Sequence, residues 1–171
     1  SEDSMAYPID DANWNIGMLV LVVDSQKKKI ASRIGMEHTV ETSPFYPAWV
    51  ETAREDLQAI KKAIAEKDFE TLGRITEHNG FKMHATTLSA NPPFTYWSAD
   101  SLLAQEAVRQ VREDLHVPAY MTMDAGPNVK VLCRASDMER LIAAIAAYFP
   151  AEKMIPSLPG PGASVLTEAE W

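Results

Sequence analysis

The sequence predicts an α+β fold, in which helices pack on one face of a mainly antiparallel sheet. A continuous valine-rich apolar run at residues 18–23 has the pattern of a strand buried on both faces. Two further strand-like runs, at residues 119–123 and 129–133, are joined by a short loop and predict an antiparallel pair. Between the first strand and this pair, apolar residues recur at helical spacing.

The beginning of the chain is predicted as a polar lead-in, residues 1–13, ahead of one domain that spans residues 14–171. After the first strand, residues 24–27 turn the chain, and a second strand is expected to run through Ile30 and Ile34. The basic triplet at residues 27–29 is interpreted as a solvated turn.

Three helices are predicted next. The first has Ser43 as its N-cap and Pro44 at its first helical position. Its apolar stripe is Trp49, Ala53, Leu57, Ile60 and Ile64. The second begins after Asp68 and continues to Leu88, although its two glycines each weaken a helix by about 1 kcal/mol relative to alanine.

The Asn91-Pro92-Pro93 segment ends the second helix, and either Ser98 or Asp100 begins the third. A last helix is expected to open at residues 136–137 and to end at Pro150. Residues 154–155 and 164–166 are candidate edge strands.

The composition is typical of a globular domain and argues against nucleic-acid-binding and membrane-spanning proteins. The 171 residues suit one domain, and 46% hydrophobic with 23% charged residues is ordinary for a globular protein. The net charge of −8 argues against a nucleic-acid partner. No apolar run reaches the roughly 18 residues that cross a membrane.

The cysteine and histidine content argues against a metal site held by the chain. Cys133 is the single cysteine, which excludes an internal disulfide and a cysteine zinc site. It lies in a strand-like run and is interpreted as a small core residue. His38, His78 and His116 do not recur at metal-ligand spacing, so no protein-bound metal is expected. One cysteine and no visible signal peptide fit a cytoplasmic protein.

The segment Asp124-Ala125-Gly126-Pro127-Asn128 places one carboxylate where a strand gives way to a glycine turn. Gly126 allows a positive φ, Pro127 fixes its own φ, and Asn128 tolerates unusual backbone angles. On physical grounds alone, this is an ordinary hairpin turn in which aspartate is a turn-former.

The same segment resembles the C-terminal active-site loop of the mevalonate diphosphate decarboxylases, which belong to the GHMP kinase superfamily. Other segments resemble the family in the same order and at similar spacing, and the resemblance covers roughly residues 14–149. These segments are Ile34-Gly35-Met36, Glu41-Thr42-Ser43-Pro44, Met83-His84-Ala85-Thr86 and Pro92-Pro93-Phe94-Thr95-Tyr96.

The resemblance implies a ferredoxin-like C-terminal domain of an enzyme that uses ATP to convert mevalonate 5-diphosphate to isopentenyl diphosphate. It implies that Asp124 lies beside the 3-hydroxyl of the substrate, either as a general base or as a group that orients the hydroxyl. Ala125 would line the substrate pocket, while Gly126, Pro127 and Asn128 hold the shape of the loop. No catalytic role comes with His84.

The resemblance also implies that this chain is the second half of the enzyme. ATP and Mg²⁺ would be bound mainly by the N-terminal half, whose phosphate loop has no counterpart here, and the isolated chain is expected to be inactive. The N-terminal domain of the same enzyme and a second copy, in a homodimer, are the expected partners.

Three alternatives remain open. The first is a related mevalonate-type kinase that stops after phosphorylation, and the second is a decarboxylase of the monophosphate. Outside this superfamily, the alternative is a non-catalytic ferredoxin-like module that binds a small ligand.

Overall fold

A computed structural model describes residues 7–11, 13–24, 30–160 and 162. The strands are β1 (Gly17–Leu21), β2 (Ala119–Thr122), β3 (Val129–Cys133) and β4 (Met154–Ser157). The α-helices are α1 (Ser32–Thr42), α2 (Tyr46–Ala65), α3 (Phe69–Leu88), α4 (Ala99–Leu115) and α5 (Met138–Ile145).

The four strands form one antiparallel sheet in the order β2-β3-β1-β4. In the register, Leu19 of β1 lies opposite Val131 of β3, which lies opposite Met121 of β2. Each of these three side chains is fully buried. The α+β, ferredoxin-like architecture predicted from the sequence is therefore confirmed.

The main core lies on the face of the sheet to which Leu19, Val131 and Met121 belong. Helices α4 and α5 cover this face, with Val108 and Leu141 among the buried residues that they contribute. Removing this apolar surface from water is the principal stabilisation of the domain.

Helix α3 lies along β2, the edge strand of the sheet. Gly73 and Gly80 permit this approach, because a Cβ at Gly73 would collide with the ring of Tyr120, and one at Gly80 would lie 2.8 Å from Oγ1 of Thr122. The carboxylate of Glu77 accepts a hydrogen bond of 2.7 Å from the backbone N–H of Met121. The helix thus covers the edge of the sheet, which would otherwise be open to pairing with another strand.

The prediction of a second strand through Ile30 and Ile34 is wrong, because residues 32–42 form helix α1. A separation of four residues places two isoleucines on the same face of a helix as readily as it fits a strand. The packing of Gly35 against Tyr96 and Phe94 is a tertiary contact that local pattern did not show.

Ser43 was expected to cap the next helix but ends α1 instead, since its backbone N–H bonds to the carbonyl of Thr39. Helix α2 begins later, at Tyr46, with Pro47 in its first turn. The proline that fits the first turn is therefore Pro47 and not Pro44.

The two ends of α3 and the start of α4 agree with the prediction, whereas the last helix differs from it. The side chain of Asp68 accepts a hydrogen bond from the N–H of Thr71, and α3 continues to Leu88. Ser98 is the N-cap of α4 and forms a capping box with Ser101. The last helix is shorter than expected, since it is preceded by a 3₁₀ turn at Ala135–Asp137 and ends at Ile145.

The edge strand predicted at residues 154–155 is confirmed as β4, whereas the one at residues 164–166 lies outside the described residues. The turn predicted at residues 24–27 falls largely outside them as well.

Candidate active site at the loop between β2 and β3

The loop after β2 carries Asp124 at the end of the sheet. The backbone N–H of Gly126 bonds to the carbonyl oxygen of Asp124 at 2.7 Å, which makes a tight turn centred on Ala125. Gly126 is buried and Ala125 is half-buried, while the Asp124 side chain keeps 67% of its surface exposed. The loop therefore presents a carboxylate to solvent from a packed backbone.

Lys130 lies beside this carboxylate. Its Nζ is 3.1 Å from Oδ1 of Asp124, and its side chain is only 27% exposed. The register places Lys130 opposite Thr122 of β2 and Val20 of β1. The ammonium is thus carried by a strand in the middle of the sheet, where its backbone is fixed.

Two side chains tie the loop to the rest of the fold. Oδ1 of Asn128 accepts hydrogen bonds from the backbone N–H groups of Val23, at 2.9 Å, and Asp24, at 3.1 Å. Oγ of Ser101, in the first turn of α4, donates to the carbonyl of Pro127 at 2.8 Å. The loop is therefore attached both to the segment after β1 and to the N-terminus of α4.

His84 lies behind the loop with 1% of its surface exposed. Its Nε2 is 3.3 Å from the carbonyl oxygen of Met123, the residue before Asp124, and its ring centroid is 4.7 Å from that of Trp97. Burial lowers the pKa of His84, although the Met123 carbonyl and the Asp124 carboxylate oppose the shift. The imidazole is accordingly neutral at pH 7.

A groove of about 480 Å³ opens next to the loop, between α2, α3 and the end of β2. Thr122 and Met123 form one wall, and the opposite side includes Asp56 and Asn79. Nζ of Lys82 lies 2.6 Å from Asp56. Although burial opposes it, this ion pair and the Asn79 hydrogen bond hold the pKa of Asp56 below its usual value.

No described glycine has a positive φ, so the loop does not use the left-handed conformation that Gly126 allows. The burial of Gly126 at the turn is the structural feature that the sequence did not reveal.

The structure adds three side chains to the candidate site: Lys130, Ser101 and His84. Strand alternation could have placed Lys130 on the face opposite the core, because it lies between the core residues Val129 and Val131. The contacts of Ser101 and His84 join segments that are far apart in sequence, so no local pattern signals them.

Comparison with known proteins identifies the family. Residues 18–165 match the family described as the mevalonate 5-diphosphate decarboxylase C-terminal domain. The chain belongs to the mevalonate diphosphate decarboxylase family. Human diphosphomevalonate decarboxylase is 32% identical over an alignment of 157 residues, and the match covers 87% of this chain and 38% of the human protein.

Solved structures of the family have the same fold. The mevalonate diphosphate decarboxylase from Enterococcus faecalis is 44% identical with a TM-score of 0.83, over 92% of this chain and 47% of that one. MDDEF in complex with MVAPP, AMPPCP and magnesium is also 44% identical, with a TM-score of 0.85, over 92% of this chain and 48% of that one. The chain therefore spans less than half of the length of these relatives.

The described residues include no group of three or more histidine, cysteine, aspartate or glutamate side chains that could hold a metal ion. Within them, no helix has the length and apolar character that crossing a membrane requires.

Proposed function

We propose that this chain is the C-terminal domain of an ATP-dependent mevalonate 5-diphosphate decarboxylase, which forms isopentenyl diphosphate, ADP, phosphate and CO₂. The observation that carries the proposal is the exposed carboxylate of Asp124, held 3.1 Å from Lys130 on a loop in which Gly126 is buried. The family match over residues 18–165 and the names of the relatives support the same reaction.

Asp124 is the proposed catalytic residue, and the geometry favours an orienting role. A tertiary alcohol is a very weak acid, and phosphoryl transfer passes through a transition state that needs little early deprotonation. With Oδ1 held by Lys130, the carboxylate can accept the hydrogen bond of the 3-hydroxyl and take its proton late in the reaction. As an anion it also stabilises positive charge that develops on the substrate when phosphate leaves.

The rest of the loop is proposed to shape the substrate pocket. Ala125 is half-buried, and its small side chain lets a ligand approach the backbone. Asn128 and the carbonyl of Pro127 hold the loop in place through Val23, Asp24 and Ser101. We include Gly126 with them because it is buried inside the turn.

ATP and Mg²⁺ are proposed to bind mainly to an N-terminal half of the same enzyme. The described residues do not assemble a metal site, and the relatives are more than twice as long as the matched region. The complex of MDDEF with AMPPCP and magnesium supports the use of both in this family. The domain boundary is proposed near Trp14, because Trp14 and Ile16 pack against a buried cluster that includes Leu132. A homodimer in the cytoplasm is the proposed state of the whole enzyme.

The test uses the full-length protein with ATP, Mg²⁺ and mevalonate 5-diphosphate, and follows ADP, phosphate and CO₂ together. The proposal expects the three products in equal amounts. ADP without CO₂ would identify a kinase, and faster CO₂ release from the monophosphate would identify a monophosphate decarboxylase. The isolated chain serves as a control, and it is expected to release no CO₂.

A further inference from the structure

His84 contacts the backbone of the loop at one specific atom. Its Nε2 lies 3.3 Å from the carbonyl oxygen of Met123, and the next residue along the chain is Asp124. Met123 itself is 3% exposed, and its sulfur accepts a hydrogen bond from Nε2 of Gln105. The carbonyl of Met123, directly before the proposed catalytic residue, is therefore contacted by a side chain that lies in the core.

The contact determines the tautomer of the ring. A carbonyl oxygen only accepts hydrogen bonds, so Nε2 must carry the proton. Nδ1 then has no proton, and it has no hydrogen-bond partner among the described residues. Burial lowers the pKa of His84, so the ring remains neutral and keeps this tautomer at pH 7.

The ring cannot turn easily, because aromatic side chains pack around it. The centroid of Trp97 is 4.7 Å from that of His84, and the centroid of Tyr96 is 6.5 Å away. Both residues lie between α3 and α4, in the segment that ends at the N-cap Ser98. The imidazole is thus a rigid donor whose direction is fixed by the core.

We propose that His84 is a positioning residue for catalysis, which fixes the direction of the Asp124 carboxylate through the hydrogen bond from Nε2 to the Met123 carbonyl. This inference rests on the proposed function of Asp124. A hydrogen bond at the end of β2 determines where the strand stops and the loop begins. The Cα of Asp124 follows two backbone bonds after the Met123 carbonyl carbon, so a rotation of the peptide between them would move the side chain that carries the carboxylate.

The test compares two replacements of His84 in the full-length enzyme. His84→Phe keeps a buried ring but removes the donor, whereas His84→Gln places an amide N–H near the position of Nε2. Since a misplacement of about 1 Å can reduce a rate by about 10²-fold, His84→Phe should lower kcat by roughly 10- to 100-fold at an unchanged KM. His84→Gln should restore most of this loss.

Equal kcat values for wild type and His84→Phe would overturn the proposal, and so would a His84→Gln enzyme as slow as His84→Phe. Histidine ¹⁵N chemical shifts give a second readout, with the His84 resonance assigned by its loss in His84→Gln. The protonated Nε2 tautomer is expected, and a proton on Nδ1 would refute the inference whatever the activity.

A failure of the proposed function is distinguishable from a failure of this inference. If the wild-type enzyme releases no CO₂, the hydrogen exchange of the Asp124 backbone amide still reports on the contact. Faster exchange in His84→Phe, with normal exchange in His84→Gln, would support the positioning role. Equal exchange in all three proteins would overturn it.

Discussion

Replacing Gly73 by alanine tests the close packing of α3 on β2. Helix propensity alone predicts that this change stabilises a helix interior by about 1 kcal/mol. The structure predicts the opposite, because the new Cβ would overlap Cγ, Cδ2 and Cε2 of the Tyr120 ring. The ring has little freedom to move, since its hydroxyl donates to Glu70 at 2.6 Å and Arg112 lies 5.9 Å from its centroid.

The expected magnitude follows from these opposing effects. Overpacking costs about 1–3 kcal/mol, and the upper part of this range applies because Glu70 holds the hydroxyl of the ring and Arg112 lies over its face. After the gain in propensity, Gly73→Ala should lower the free energy of unfolding by about 2 kcal/mol. With a slope near 2 kcal/mol per molar urea, the unfolding midpoint should fall by about 1 M.

Urea unfolding of the 171-residue chain, followed by circular dichroism, measures the effect. The same glycine replacement in a Tyr120→Ala background is the matched comparison. Without the ring, Gly73→Ala should stabilise the protein by about 1 kcal/mol, so the effect reverses its sign. A Gly73→Ala protein that is more stable than wild type while Tyr120 is present would refute this account of the packing.

Three further predictions concern the loop, the buried thiol of Cys133 and the half-buried phenol of Tyr120. Asn128→Ala should lower the free energy of unfolding by about 1–3 kcal/mol, because two backbone N–H groups lose their acceptor, and Asn128→Asp should lose less in the same urea assay. Burial raises the pKa of Cys133 to about 11, so a thiol reagent at pH 8 should label it slowly until urea is added. Burial and the Glu70 carboxylate raise the pKa of Tyr120 to about 12, above the value of about 10 in an unfolded chain. The contribution of this protonated phenol to the free energy of unfolding should be complete below pH 10 and lost towards pH 12. In Tyr120→Phe, the free energy of unfolding should therefore fall less steeply between pH 10 and pH 12 than in wild type.

Three strands and two helix caps could be predicted from the sequence, because each depends on residues that are close together in the chain. The buried strand β1, the β2–β3 pair and the caps at Asp68 and Ser98 each have a signal within a few residues of sequence. Helix α1 was not predictable in this way, since its position depends on Gly35 packing against a segment far along the chain. The coverage of the β2 edge by Glu77 is likewise a tertiary contact.

The candidate site was only partly accessible from sequence. Pattern alone makes Asp124 a turn residue, and only the family resemblance predicts a functional carboxylate at this position. Lys130 lies six positions later on a strand, and its contact with Asp124 depends on how the loop folds back. The hydrogen bond from His84 to Met123 joins residues 39 positions apart, which no spacing rule predicts.

The central claim is that Asp124 acts in the chemical step, and single-turnover CO₂ release from mevalonate 5-diphosphate tests it most directly. The comparison is between Asp124→Asn and Asp114→Asn in the full-length enzyme. Asp114 is an exposed aspartate on α4. It lies thirteen residues from Ser101, the residue of α4 that bonds to the loop, and at 1.5 Å per residue this separation is about 20 Å. Asp124→Asn should slow CO₂ release by about 10²- to 10⁴-fold without loss of substrate binding, while Asp114→Asn should react like wild type. Equal rates for the two variants would contradict the assignment of Asp124.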